Sequence, residues 1–328
     1  MSAEVAHDPS EFKDEDEEAV PEDAGNFPVT EEELHELREQ LKEKFPEDYT
    51  YLSSRYMESV ASKPYSKNPK IRRPLDYTLS KLEAVMEWRK TAGAPNAESW
   101  VDLAFGKPSG TKPDAASVTR ANAMVTSLNN GSLYWHGFTK DGHPILWVRT
   151  NRKPWFPDVQ ADLDALMLLA DAGVRAMPPT VTSFCVFAES SSPPPPNPSF
   201  LIGLLKALVR GYPDRLQLLI SAPISSIIQF VMNLLLPLMP GRLSSKVVLA
   251  DSAGIAAKLS EVLSNGKDGV PTFFGGPANH DELYPEESKS SLKGGTLKFD
   301  YYGMVERLET QKQEWMKLNA DKISEATG

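Results

Sequence analysis

The sequence predicts an α/β protein: an N-terminal helical lobe followed by a mainly parallel sheet with helical crossovers. Three observations point there. From Val29 to about Leu128 apolar residues recur at helical spacing. At "LYWHGFTKDGHPILWVR" the period changes, and Asp141-Gly142 between two apolar runs signals a hairpin. Beyond it, branched apolar runs ("TVTSFCVFAE", "RLQLLIS", "SKVVLAD") alternate with helical stretches, the pattern of buried parallel strands joined by helices.

The expected order runs as follows. Residues 1–28 form an acidic tail with little to bury, expected to be disordered. The lobe, 29–128, opens with a capping box, Thr30 and Glu33, ahead of Leu34, Leu37, Leu41 and Phe45 on one helical face. "YLSSRYMESVASK" reads as a second helix. "PYSKNPKIRRP" then forms a basic loop around Lys63, Lys67, Lys70, Arg72 and Arg73. "LDYTLSKLEAVMEWRKTAG" is a further helix, with Leu79, Leu82, Val85, Met86 and Trp88 apolar and Gly93 placed to end it. The α/β domain spans 129–285, and its helices include "DLDALMLLADAGVRAM", "FLIGLLKALVR" and "AGIAAKLSEVLSN". The run "SSSPPPPNPS", Ser190 to Ser199, forms a stiff polyproline loop; its 193–198 prolines also suit an SH3-type partner. Residues 286–328 supply a linker and a C-terminal helix. There Met304, Leu308, Gln311, Trp315 and Leu318 share a face expected to dock on the body.

Composition narrows the function. The 328 residues carry a net charge of -10, which repels polyanions and argues against non-specific nucleic-acid binding. Cys185 is the sole cysteine, so no internal disulfide forms, and a reducing, cytoplasmic setting is expected. The start of the chain is acidic rather than a cationic, apolar leader. No G-x-G-x-x-G, G-x-x-x-x-G-K-[ST] or G-x-S-x-G is present, and "GKPSGTK" at Gly106 has the wrong spacing. His7, His35, His136, His143 and His280 are not paired at zinc-ligand spacing. Neither a catalytic set nor a metal site is expected, and the enzyme reading lacks a nucleophile.

One segment stands apart. Between Ile224 and Met239 only Ser225, Ser226, Gln229 and Asn233 are polar. As a helix it would be about 24 Å long, short of the roughly 30 Å hydrocarbon core of a bilayer, and Pro237 interrupts its end. A helix apolar nearly all round is either core-buried or lipid-facing.

Three pieces in order resemble the CRAL-TRIO family, typified by the phosphatidylinositol/phosphatidylcholine transfer proteins. They are "HGFTKDGHPI" as an opening hairpin, "GYPDRLQLLISAPISSII" as the Y-P strand leading to a gate helix, and "SSKVVLAD" followed later by "VPTFFGG". "LSKLEAVMEWRK" fits the end of the helical lobe before such domains, so the likeness runs from about Tyr77 to Asp281. The resemblance implies a sheet enclosing a lipid pocket, no cofactor beyond the bound lipid, and helix 224–239 as a movable lid. It implies a monomer that exchanges one phospholipid or other hydrophobic ligand at membrane surfaces.

Withdrawing one acyl chain of about 16 carbons from a bilayer loses roughly 13 kcal/mol, at about 0.8 kcal/mol per CH₂. Only a continuous apolar tunnel offsets that. Candidate linings are Phe184, Val186 and Phe187 on the strand, with Ile227, Ile228, Phe230, Val231, Leu234 and Leu235 on the lid. The charged pair typical of phosphatidylinositol binders is missing: its positions fall near Gly203 and at Leu235 or Leu236. Ser183, Cys185 and Trp135 fall near the positions of a phosphatidylcholine set, with Leu146 in place of its second tyrosine. Trp135 could hold a quaternary ammonium by cation–π attraction or simply pack the hairpin. Lys67, Lys70, Arg72 and Arg73 are the expected membrane contacts. The alternative is an interaction scaffold with a vestigial cavity, binding partners through its proline run and acidic tail.

Overall fold

The computed structural model describes residues 27–46, 51–65, 67–92, 114–239, 241–285 and 299–327. Most of the acidic tail, Gly93, the 106–112 segment and residues 286–298 of the linker lie outside the described residues.

Helix α1 (Glu31–Lys44) starts at the capping box read from the sequence: Glu33 N–H donates to Thr30 Oγ1 (3.2 Å), and Thr30 N–H donates to Glu33 Oε2 (2.9 Å). Helix α2 (Ser54–Ala61) follows, capped by Ser53. The basic loop is not irregular: β1 (Pro64–Tyr65) and β2 (Asn68–Arg72) make a small antiparallel hairpin. Helix α3 (Leu75–Ala92) completes the lobe, whose core joins Leu34, Leu41, Tyr56, Met57, Leu82 and Met86. Helix α4 (Ala115–Asn129), which the sequence groups with the lobe, buries Ala121, Met124 and Leu128 in the core of the sheet domain.

That domain is a five-stranded sheet in the order β3 (Leu133–Phe138), β4 (Pro144–Arg149), β5 (Phe184–Glu189), β6 (Leu216–Ala222), β7 (Val247–Leu249). Strands β3 and β4 are the antiparallel hairpin; β4 to β7 run parallel. Gly142 turns the hairpin at φ +86°, and the Trp315 ring lies so close that a Cβ there would meet it at 2.7 Å. The crossovers are α5 (Val159–Arg175), α6 (Pro198–Lys206) prolonged by a π turn (Ala207–Gly211), then α7 (Ser226–Leu235), a 3₁₀ turn (Leu236–Leu238) and α8 (Gly241–Ser244). Sequential strand order with same-handed crossovers stacks these helices on one face, here called the lid face. After β7, α9 (Ile255–Val262) buries Ile255 and Leu259 in the core with Phe187 and Ile220 of the far face. Short α10 (His280–Leu283) follows, and α11 (Tyr301–Leu318) packs along β3 through Met304, Leu308 and Trp315 before α12 (Ala320–Thr327).

Candidate functional site beneath helix α7

The lid face is read along one cross-strand row: Trp135, Leu146, Val186, Leu219 and Val247 stand side by side from β3 to β7. Paired residues point the same way, so all five face the same side. At the β3 end the row is closed. The Trp135 indole N–H donates to Leu169 O (2.6 Å), its ring lies against Gly173 of α5, and Phe184 meets it edge-on at 5.6 Å. Toward β7 the row opens: Val186, Leu219 and Val247 are only half-buried.

For Val186 and Leu219, in the middle of the sheet, neighbouring strands already shield the side chain laterally, so remaining exposure means the layer above does not close on it; Val247 lies on the edge strand β7. In the next row Val148 and Ala188 are half-buried, Ser221 is buried, and Leu249 on the edge strand is half-buried. Val247 joins one apolar cluster with Leu205 and Ile202 of α6 and with Leu236, Leu238, Met239 and Leu243 beyond α7. Apolar side chains of α6, of the 3₁₀ turn after α7 and of α8 thus pack together at the β7 edge of this face.

The expected 16-residue lid is shorter than its sequence suggested. Helix α7 spans ten residues, from the Ser225 cap that accepts Ile228 N–H (3.2 Å) to Leu235, and Pro237 sits in the 3₁₀ turn. Proline supplies no N–H there and breaks the helical ladder. Its greasy surface divides in two. Met232 and Leu235 are buried inward, Ile227, Ile228 and Val231 are half-buried, and Phe230 (59% exposed), Leu234 (44%) and Ile224 (42%) face outward.

The sequence-derived pocket residues scatter. Phe184 and Val186 lie on the lid face. Phe187 and Cys185 alternate to the far face, where Phe187 meets Trp147 edge-on at 5.4 Å and burial pushes the Cys185 thiol up to about 12. They are core residues screened from the lid by the sheet itself. Trp135 is fully buried beneath α5, so its ring offers no open face to a headgroup. Ser183 precedes β5 and is tied to His143, whose Nδ1 lies 3.2 Å from its Oγ. Leu219, Val247, Leu205 and Met239 escaped the sequence reading because strand register, which only pairing reveals, brings them together.

The basic cluster is corrected too. Arg72 forks onto the Glu33 carboxylate of α1 and donates to Pro28 O (3.2 Å). Arg73 is buried, donates to Val60 O (3.1 Å) and lies 3.7 Å from Asp214. Lys67 and Lys70 stay exposed on the hairpin. The two arginines hold the lobe together rather than face a membrane.

Two clefts lie elsewhere. One of about 600 Å³ lies between the lobe and the α6–β6 turn beside Lys81, Glu87, Arg210 and Asp214. The other, about 500 Å³, lies between β3 and α11 beside Lys140, Asp268, Glu314 and Lys322. The first is walled mainly by apolar side chains, among them Val60, Leu82, Val85, Trp88 and Val209, and the second mixes polar and apolar ones. No helix among the described residues is long and apolar enough to cross a membrane.

Comparisons with known proteins bear on residues 128–276 first. The CRAL/TRIO domain family matches residues 128–276, the span that contains the whole five-stranded sheet and the lid. A solved structure titled "Crystal structure of Sfh5" is similar at 11% identity and a TM-score of 0.48, over 77% of this chain and 93% of that one. No curated protein matches the chain. Domains of this family generally bind or carry lipids rather than catalyse reactions. Residues 128–276 of the chain, the segment that folds into the five-stranded sheet and its crossovers, are thus similar to the CRAL/TRIO domain family.

Proposed function

We propose that the protein holds a single hydrophobic ligand, an amphiphile with at least one long acyl or comparable apolar tail, between the lid face of β5–β7 and helices α6–α8. It exchanges that ligand with membranes when α7 swings away. No covalent chemistry is involved, and the protein works as a monomer that touches bilayers transiently from the cytoplasm. The observation that carries this reading is the half-burial of Val186 and Leu219 in the middle of the sheet, next to Val247 and the apolar cluster of α6, the 3₁₀ turn and α8. The ring of Leu205, Met239 and Leu243 continues the apolar wall that a tail requires. The lid's outward Phe230 and Leu234 give it an apolar surface to present to lipid once it opens.

Transfer of a fluorescent phospholipid between donor and acceptor vesicles tests it. Leu235→Asp puts a carboxylate on the inner lid surface and is expected to abolish carriage, whereas Leu236→Met is expected to leave it intact. Equal transfer by both variants, or none by the wild type with any lipid class, overturns the reading.

A further inference from the structure

The most exposed aromatic side chains of the described residues are neither on the lid nor in the core: Trp155 is 67% and Phe156 92% exposed. They form the tip of the loop that follows β4, between Pro154 and Pro157. Both shoulders of that loop are clamped. Arg152 donates to Tyr284 O (2.6 Å) and Gly131 O (3.1 Å), Lys153 is paired with Asp162, and Asp158 caps α5 by accepting Ala161 N–H (3.0 Å). Arg152 and Lys153 are drawn inward on one shoulder, Asp158 stays exposed on the other, and two aromatic rings are held out at the tip.

Strands β4, β5 and β6 are parallel neighbours, so their C-terminal ends share one edge of the sheet. Thr150 Oγ1 donates to Glu189 O (2.8 Å) and Ser190 N–H to Ala222 O (2.7 Å), which keeps those ends level. Two strand spacings, about 10 Å, separate the end of β4 from the end of β6, where the lid departs. Trp155, Phe156, Ile224 and the outer lid residue Phe230 thus belong to one end of the molecule. In the sequence, residues 190–205 and 216–239, part buried and part exposed, contain no charged residue, in a chain that is 24% charged. Asp158, Asp251 and Asp281 keep carboxylates in water around this end, so its apolar character is confined to the Trp155–Phe156 tip and the outer lid.

We infer that the Trp155–Phe156 loop is a membrane anchor, inserting into the interfacial region of a bilayer beside the lid. Its chemistry is that of an interfacial aromatic belt, an amphipathic indole and a phenyl ring at headgroup depth, and it requires no anionic lipid. That suits a chain of net charge -10, for which an anionic surface offers no attraction. The inference rests on the transfer reading above, since an anchor beside the lid serves delivery of the lid's ligand.

The test is sedimentation of the full chain with phosphatidylcholine vesicles, alone and with phosphatidylserine added, at low and high salt. The wild type is expected to bind both equally with little salt dependence, and Trp155→Ala/Phe156→Ala to lose about tenfold or more of that binding. Native mass measurement should show the double variant still carrying its ligand, which separates loss of the anchor from loss of the cavity. With bromine-labelled lipid, Trp155→Phe should remove most of the quenchable tryptophan emission. Unchanged vesicle binding by the double variant overturns the inference, as does a wild type that binds no vesicle. A wild-type dimer that the double variant converts to monomer also overturns it, by assigning the patch to a second copy of the chain.

Discussion

The guanidinium of Arg89 on α3 forks onto the carboxylate of Asp171 on α5, with both N–O distances 2.9 Å and both side chains buried. Tyr212, at the turn before β6, donates its hydroxyl to the same carboxylate at 2.7 Å, and Tyr56 of α2 donates to Pro213 O at 2.8 Å. The lobe is thereby bolted to α5 and to the turn before β6, the fixed body that the proposed lid movement requires. Removing one partner leaves the other charge buried and uncompensated. Asp171→Ala is expected to cost about 3–5 kcal/mol in denaturant unfolding, and Arg89→Met/Asp171→Leu much less. Similar losses for the single and double variants would deny the pair this role.

Gly173 sets the depth of the floor. A Cβ there would sit 2.1 Å from the Trp135 ring, far inside contact distance. Gly173→Ala therefore drives the indole off Leu169 O, with an expected cost of about 1–3 kcal/mol, readable as a lowered Tm and an altered near-UV tryptophan signal. A Tm within a degree or so of wild type would show that the contact yields without loss.

The far face predicts the response to acid. Burial and the neighbouring Arg307 hold His136 down at about 4, and burial with His136, Arg149 and Arg152 holds His280 at about 2. Both folded values lie below the ordinary 6.5. The unfolded chain therefore binds protons on these rings as the pH falls below about 6.5 while the folded chain refuses them. Stability is complete above that pH and declines below it, by about 1.4 kcal/mol per pH unit for each histidine. His280→Asn should flatten the decline between pH 6.5 and 4; an unchanged slope would remove His280 from the account.

Much of this was legible in the sequence. The Thr30–Glu33 capping box, the Asp141-Gly142 turn and the alternation of strands with helices all follow from local chemistry. The facing of β5 does not. A strand buried on both sides reads as a nearly unbroken apolar run, so Phe187 and Cys185 look as suitable for a pocket as Val186 does. Nor does the pairing of Arg72 with Glu33, which lie 39 positions apart and leave only an apparent basic patch in the linear text. Trp155 and Phe156 mislead in the opposite way, since aromatic residues ordinarily signal a core.

Thiol chemistry separates the two faces of β5. Cys185 is expected to stay inert to a thiol reagent whether vesicles are present or not, because lid opening uncovers only the opposite face. Val186→Cys in a Cys185→Ala background should react, and faster with acceptor vesicles. Vesicle-dependent labelling of native Cys185 would reverse the face assignment.

The central claim is that the under-packed region above Val186 and Leu219 houses one ligand. Native mass measurement of the full chain, purified without detergent, addresses it directly. The account expects one amphiphile per chain in the wild type and none in a folded Leu219→Trp variant, whose indole fills the space. A wild type at the mass of the bare polypeptide, or a Leu219→Trp variant with undiminished occupancy, would contradict it.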